Sequence, residues 1–442
     1  MVVVPLTMIA AGSLYLHRRA IGASSPTADL MYCVWALSLG FVLTQLALAW
    51  LQRPFSVSGA QQAKLDRLAV AAVIPCYNED PAILDRTIYS LFAQTRPLDW
   101  VIVVDDGSTE NYSAIRARWE AEPSGTELVW IRQHNQGKKH AQAAAFQAIP
   151  QADIYATMDS DSALERRAIE EGLKPFADRE VVSVAGLEMA YNLTTNLLTR
   201  AMGMRSLAFQ LFTMSAQSVA GGNVVINPGA FSLYRGWLIH RILPAYTSET
   251  FFGTPVTLGD DTALTLFALL HGRAVHQPTA VAMPVYPETL SHHLRQWTRW
   301  MRASTIRTLW RIRYLRPRSY AWWFVLYQQY AFFASVAVSL AVPFAWPATR
   351  NLIFASGIAL VAWPIAVAMR LITVHRTDVR WSGWLASVGL LPFAALWYLL
   401  VLRQIRFYGM ATCHRQGWIT RKKVEVTLSG AAVQPAEVLV NE

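Results

Sequence analysis

Three short acidic stretches carry the side chains best suited to chemistry: Val103-Val-Asp-Asp-Gly-Ser-Thr109, Asp159-Ser-Asp161 and Leu258-Gly-Asp-Asp-Thr262. Carboxylates one residue apart, as in Asp159 and Asp161, suit a hard divalent cation. Mg²⁺ takes one or two protein carboxylates and completes its octahedron with phosphate oxygens and water. An acidic pair such as Asp105 and Asp106, followed by Gly-Ser, can hydrogen-bond a ribose or a base edge, the glycine permitting the tight turn. Taken alone, that tetrapeptide is as often an ordinary turn. In the third pair one Asp can serve as a helix N-cap, and a cap uses a single carboxylate. The other, Asp261 or Asp260, can then act as a general base toward a hydroxyl attacking an activated carbon.

Three further stretches add polar groups. Ile74-Pro-Cys-Tyr-Asn-Glu-Asp80 ends an apolar run and offers Tyr77, Asn78 and Glu79. In His134-Asn-Gln-Gly-Lys-Lys-His140, Gly137 allows close approach of the backbone to a ligand, and Lys138 or Lys139 can meet a phosphate as a point charge. A solvated basic loop explains the same residues equally well. Arg295-Gln-Trp-Thr-Arg-Trp-Met-Arg302 combines two tryptophans with three arginines. On a helical wheel Leu290, Leu294, Trp297 and Met301 share one face, with Arg295, Arg299 and Arg302 roughly opposite, the pattern of a helix lying on a membrane. Gln296, Arg299 and Trp300 form a strip at the edge of that face. Arg299 can grip a diphosphate with paired hydrogen bonds, and Trp300 offers a flat surface to a sugar ring.

The elements that must position these groups follow from hydropathy. Residues 63–287 have the composition of a soluble α/β domain. Short β-branched runs at Leu68–Ile74, Trp100–Val104, Leu128–Ile131, Ile154–Met158 and Val181–Ala185 alternate with helical patterns, which predicts a mostly parallel sheet with crossover helices. Ligands of such sheets bind beyond the carboxyl ends of the strands, where the acidic stretches fall. Residues 1–52 hold two apolar runs, Val2–Leu16 and Leu30–Leu51. The first reads as a short anchor rather than a signal peptide, and the second is long enough to span a bilayer. Residues 288–318 are expected to form interface helices. Residues 319–402 hold three candidate spans, Tyr320–Trp346, Leu352–Ile372 and Trp384–Leu402. A basic tail, 403–423, and an expected disordered end, 424–442, follow.

Of the 442 residues, 53% are hydrophobic and 15% charged. With a net charge of +10, this suggests a multi-pass protein of the plasma membrane with its α/β domain in the cytoplasm and its basic residues at an anionic leaflet. No nucleic-acid recognition motif accompanies the charge. Cys33, Cys76 and Cys413 form no C-x-x-C pair and predict neither a disulfide framework nor a zinc site. Orientation is ambiguous, because Arg18 and Arg19 lie between the first two runs and three C-terminal spans would put the basic tail opposite the soluble domain.

Taken in order, the motifs resemble those of processive membrane-bound family-2 glycosyltransferases, with hyaluronan synthases and rhizobial chitin-oligosaccharide synthases most similar. The matching segments are PCYNED (75–80), DDGS (105–108), QGKKHA (136–141), DSD (159–161), NPGAFSLYR (227–235), GDDTALT (259–265), QWTRW (296–300) and GWITR (417–421). The resemblance covers roughly residues 65–421 and implies the family-2 fold, a UDP-sugar donor, a growing polysaccharide acceptor and Mg²⁺ or Mn²⁺. Carried over, Asp105 with Asp106 and the Asn78–Asp80 loop would contact the uridine, and Lys138 the diphosphate. Asp159 and Asp161 would bind donor and metal, and Asp261 beside Asp260 would be the base. Gln296, Arg299 and Trp300 would hold the pyrophosphate and the acceptor. Tyr234 and Arg235 would line the acceptor site, and Trp418, Thr420 and Arg421 would belong to a gating element. Two departures stand out: Phe231-Ser-Leu-Tyr-Arg235 where Gly-Met-Tyr-Arg or Ala-Met-Tyr-Arg is usual, and Gly-Trp-Ile-Thr-Arg where Trp-Gly-Thr-Arg is usual. Both put the choice of sugar in doubt more than the reaction. A chitin-like polymer synthase or a single-transfer lipid glycosyltransferase would share most of these motifs. A transporter fits less well, because Tyr320–Ile372 contains no Asp or Glu to mark an ion path.

Overall fold

The computed structural model describes residues 26–341, 366–416 and 438–440. Its centre is an eight-stranded sheet in the order β3-β2-β1-β4-β7-β6-β10-β5. The strands are β1 (Val70–Cys76), β2 (Trp100–Asp105), β3 (Glu127–Arg132), β4 (Ile154–Thr157), β5 (Ser162–Leu164), β6 (Val181–Glu188), β7 (Ser232–Arg235) and β10 (Arg273–Pro284). A separate hairpin pairs β8 (Thr250–Phe251) with β9 (Thr254–Pro255). The five expected strands are present, β1, β2, β3 and β4 pairing in parallel. Sequence periodicity passed over β5, β7 and β10. Of these, β7 runs antiparallel between β4 and β6, and β10 is parallel to β6 and antiparallel to β5. Every residue of β1 is buried, as expected for a central strand covered on both faces.

From β1 the chain adds β2 and β3 on one side, then crosses back to lay β4 on the other side of β1. This reversal of winding is the topological switch point where crevices open in α/β sheets. Pro75 lies two residues beyond the end of the β1–β4 ladder, whose last pair joins Val73 and Thr157. Its missing N–H therefore costs that ladder nothing. Two apolar layers close the sheet. One packs α1 (Pro81–Phe92) through Leu84, Ile88 and Leu91, and the other packs α2 (Lys138–Ala148) through Ala141, Ala145 and Phe146.

Two long helices flank the carboxyl side of the sheet: α3 (Leu290–Tyr314) and α4 (Tyr320–Ala341). The second apolar run, Leu30–Leu51, lies in the helix Pro26–Leu51, whose Phe41 stacks on Tyr327 of α4. Among the described residues one helical stretch, Trp381–Ala411, is long and apolar enough to cross a membrane by length and composition. The Val2–Leu16 run and most of Leu352–Ile372 lie outside the described residues. In the tail expected to be disordered, Val438–Val440 pairs antiparallel with Val374–Arg376.

The amphipathic reading of α3 is corrected in its partner. Trp297 is buried and donates its Nε1–H to the Leu402 carbonyl at 2.9 Å. It packs with Met202, Leu294, Met301 and Ile405. The apolar stripe thus faces the helix Arg403–Ala411 rather than lipid, and Gly409 permits the contact, since a Cβ there would stand 2.6 Å from that of Met301. Periodicity gives the stripe but cannot tell a protein partner from a lipid one.

Candidate active site

The loops at the ends of β1, β2 and β4 are tied to one another. Asn78, at φ +47°, accepts the Thr109 N–H at 2.8 Å, while its own N–H donates to Ser108 Oγ at 2.9 Å. Asp105 is buried and accepts the Ser108 N–H at 2.8 Å, with Arg132 at 3.5 Å. Asp106 accepts N–H groups of Gln136 and Gly137 at 2.9 and 2.8 Å and so holds the glycine-lysine loop open at the start of α2. Glu79 accepts Ser160 Oγ–H at 2.7 Å, clamping the β1 loop to the Asp159-Ser-Asp161 turn. The Asp80 carboxylate, expected with the nucleotide loop, caps α1 by accepting the Ala82 and Ile83 N–H groups. Two residues that carry no motif complete the frame: Arg86 donates to the Asp161 carbonyl at 2.8 Å and Thr87 to that of Ser160 at 2.9 Å.

Lys138 joins two of the acidic pairs, its Nζ lying 2.6 Å from Asp159 and 2.9 Å from Asp260. Burial alone would favour its neutral form, but these carboxylates raise its pKa. Burial likewise works against an ionised Asp260, and Lys138 outweighs it, lowering that pKa. Asp261 behaves oppositely: burial and the Asp260 charge push it up to about 6. Neither aspartate is the N-cap of the helix Asp260–His271. Gly259 holds that place in a left-handed conformation, φ +72°, and a Cβ there would meet Thr262 Oγ1 at 2.7 Å and Ala303 of α3 at 3.0 Å. Asp260 is thereby left to pair with Lys138, while Asp261 accepts the Thr262 N–H at 2.6 Å through Oδ1 and keeps its second oxygen. The two lysines point in different directions. Lys139 points away from the acidic pairs into a buried cluster, pairing with Glu249 and donating to the Val256 carbonyl, while Arg307 grips Glu249 at 2.5 and 2.8 Å.

A cavity of about 840 Å³ connects these groups. Its floor holds Tyr77, Asp106, Lys138, Asp159, Asp161, Asp260 and Asp261, and its side Gln296, Arg299 and Trp300. From there it runs past Arg205, Tyr286 and His293 to Tyr327, Gln329 and Ser335 of α4 and to Arg403 and Arg406. Trp300 is 47% exposed and meets Trp297 edge-on at 5.5 Å. Asn78, Glu79 and Asp105 stand behind the lining as supports. Tyr234 and Arg235 are corrected: Tyr234 is buried in the apolar layer beneath β7, and Arg235 donates to the carbonyls of Val181, Phe176 and Asp178, at 2.7, 2.9 and 3.0 Å. Alternation along β7 turns the two side chains to opposite faces, Tyr234 into the apolar layer and Arg235 onto those carbonyls, and neither lines the cavity. Trp418, Thr420 and Arg421 lie outside the described residues. The chain nevertheless enters that segment beside the floor, since Gln416 accepts the N–H groups of Thr257 and Leu258.

Sequence reading missed Glu188, at the end of β6, and Arg205, on the helix Leu197–Phe209. Both line the cavity. Burial, then the Asp159 charge, pushes the Glu188 carboxyl up to about 8. Neither residue sits in a motif; strand order brings Glu188 to the site and helix packing brings Arg205. A divalent cation fits the floor by the donors present. Asp159 and Asp161 supply hard oxygens, and Gly229 keeps space at the carboxylate, where a Cβ would stand 3.1 Å from Asp159 Oδ2. Among the described residues no three His, Cys, Asp or Glu side chains group into a metal cage, so such an ion would depend on ligand phosphates.

Residues 67–303 match the family model described as glycosyltransferase like family 2. The hyaluronan synthase of Streptococcus pyogenes is 32% identical over 399 residues, 87% of this chain and 90% of the synthase. An N-acetylglucosaminyltransferase of Rhizobium meliloti is 27% identical over 374 residues, 84% of this chain and 85% of that enzyme. Among solved structures, the mannosyltransferase PcManGT from Pyrobaculum calidifontis, in complex with GDP-Man and Mn²⁺, is 20% identical. It superposes with a TM-score of 0.55, covering 83% of this chain and 98% of that one. This last likeness is one of fold.

Proposed function

The chain belongs to glycosyltransferase family 2, and from that premise we propose that it is a membrane-embedded, processive, inverting transferase that builds an acidic polysaccharide from UDP-GlcNAc and UDP-GlcA. The observation that carries this reading is the charge of this continuous cavity. Beyond its acidic floor the lining carries Arg205, Arg299, Arg311, Arg403 and Arg406, and Glu188 is the one carboxylate there among the described residues. A path lined by guanidinium groups and aromatic rings complements a polymer bearing regular carboxylates. A neutral chitin-like chain would gain nothing from these charges.

In this reading the uridine rests against Tyr77 and the loops framed by Asn78, Asp105 and Asp106, while Lys138 and Arg299 meet the diphosphate. Asp159 and Asp161 would hold Mg²⁺ or Mn²⁺, which supplies stabilisation for charge on the departing diphosphate when bound. Asp261 takes the proton from the acceptor hydroxyl as the new bond forms at the anomeric carbon and the bond to UDP breaks with inversion. A carboxylate raised toward neutrality is a better base than an ordinary one, yet stays ionised above about pH 6. Trp300 and Gln296 position the terminal acceptor sugar. The polymer then advances along α4, whose Tyr327, Gln329 and Ser335 line the path. Synthesis is thereby coupled to export across several spans, with the α/β domain on the cytoplasmic side.

A panel of UDP-GlcNAc, UDP-GlcA and UDP-Glc, singly and in pairs, tests the reading on membranes supplied with Mg²⁺ or Mn²⁺. Polymer requiring both GlcNAc and GlcA donors and digested by hyaluronidase is expected. Chitinase-sensitive polymer from UDP-GlcNAc alone would overturn it.

A further inference from the structure

The β8–β9 hairpin is joined by a two-residue loop, Phe252-Gly253, with φ +49° and +78°. A turn with two positive φ values ordinarily takes Asn-Gly or Asp-Gly, and a bulky aromatic at the first position is an outlier. The local rule is broken here for little burial, because Phe252 is 93% exposed and its ring meets that of Phe251 edge-on at 4.6 Å. A break of that kind points to a function for the side chain itself.

The surroundings identify the partner. Phe251, behind the tip, faces Trp310 of α3 with ring centroids 6.5 Å apart. At that end of α3 and the start of α4, Tyr314 and Trp323 are more than half exposed. Arg313, Arg316 and Arg318 are exposed, and no Asp or Glu occurs from Trp310 to Trp323. Exposed aromatics beside arginines, at the start of a 22-residue helix free of charged residues, have the composition of a bilayer interface. We propose that the Phe252 tip inserts into the headgroup region of an anionic bilayer, anchoring the α/β domain at a second point beside the α3–α4 junction. The base of the hairpin is gripped by Lys139 through Glu249 and Val256. Lys139 follows Lys138 of the cavity floor, so the anchor also fixes the height of the floor above the membrane. This inference rests on the reading of α4 as a span.

Labelling the full-length protein at single introduced cysteines tests it. Phe252→Cys, Phe333→Cys on α4 and Glu122→Cys on a distant loop are each coupled to an environment-sensitive fluorophore. They are reconstituted in phosphatidylethanolamine–phosphatidylglycerol vesicles, and the signal from the parent protein with its own Cys33, Cys76 and Cys413 is subtracted. Brominated acyl chains should quench positions 252 and 333 several-fold more than position 122, with aqueous iodide showing the reverse order. Iodide quenching at 252 as strong as at 122, with 333 still quenched by bromolipid, would overturn the anchor alone. Protection of 252 from both quenchers would overturn it in favour of a protein contact. Failure of bromolipid to quench 333 would overturn the span on which it rests.

Discussion

At the floor of the cavity the functional side chains hold one another. Asn78 is fixed by Thr109, Asp106 by the Gln136–Gly137 backbone, Glu79 by Ser160, and Lys138 bridges Asp159 to Asp260. Along the cavity wall the corresponding residues come from long helices and are held by the packing of those helices. Trp300 stands half exposed on α3, whose position depends on the buried ring of its neighbour Trp297 and on Gly409. Charge that develops during the reaction is met by groups already oriented, which is where preorganisation matters most. A polymer that must slide is met instead by rings and long cationic side chains that tolerate movement. A site can thus be rigid at one end and permissive at the other because strand-end loops build the first and helix faces the second.

Substitutions can break that contrast. Asp261→Asn should cost the most, lowering turnover by roughly 10²–10⁴-fold, the usual contribution of a general base. UDP binding, measured by calorimetry, should persist, since the floor loops do not rely on Asp261. Trp300→Ala should lower polymer yield by roughly 30-fold, on the order of 2 kcal/mol for a central aromatic contact, while UDP affinity stays unchanged. Trp297→Leu gives the sharper comparison. It removes the bond to the Leu402 carbonyl and part of a buried ring, so thermal stability should fall together with activity. Trp300→Ala should leave the melting temperature near that of the parent. Equal thermal shifts in the two variants would erase the distinction between a support and a contact residue.

Acidification acts next. The carboxyl of Asp261 sits at about 6, so it is ionised at neutral pH and protonated as pH falls below that value. Turnover should therefore drop through pH 6, by about tenfold at one unit below, and the inflection should vanish in the residual activity of Asp261→Asn if Asp261 is the group observed. Smallest should be Arg235→Lys. Arg235 binds three backbone carbonyls away from the cavity, so the variant should melt lower by an amount corresponding to about 1–3 kcal/mol. The Michaelis constants for donor and acceptor should not change, and a raised acceptor constant would restore Arg235 to the acceptor site.

Legibility from sequence followed the same division. Strands β1, β2 and β4 and the carboxylates at their ends could be read directly, because a buried parallel strand is a continuous apolar run and its polar end marks the crevice. Strands β7 and β10 were missed: the first is four residues between glycine-rich turns and a helix, and the second contains Gln277 and Pro278 within its run. Arg86, Glu188 and Arg205 escaped notice because they reach the site through strand order and helix packing, which no local spacing records. Arg235 was misplaced for the opposite reason. Its motif was recognisable, but the alternating faces of β7 decide where each side chain points. The partner of the α3 stripe could not be read either, since an apolar face meets lipid and protein with the same residues.

The central claim is that floor and wall form one continuous site, so that the polymer is not released between transfers. A pulse–chase on vesicle-embedded protein tests it most directly. Radiolabelled UDP-GlcNAc with UDP-GlcA is supplied briefly, then diluted with a large excess of unlabelled donors. Label that moves quantitatively into long chains during the chase is the predicted result. Label that stays in short, released oligosaccharides while new long chains form without it would contradict the claim.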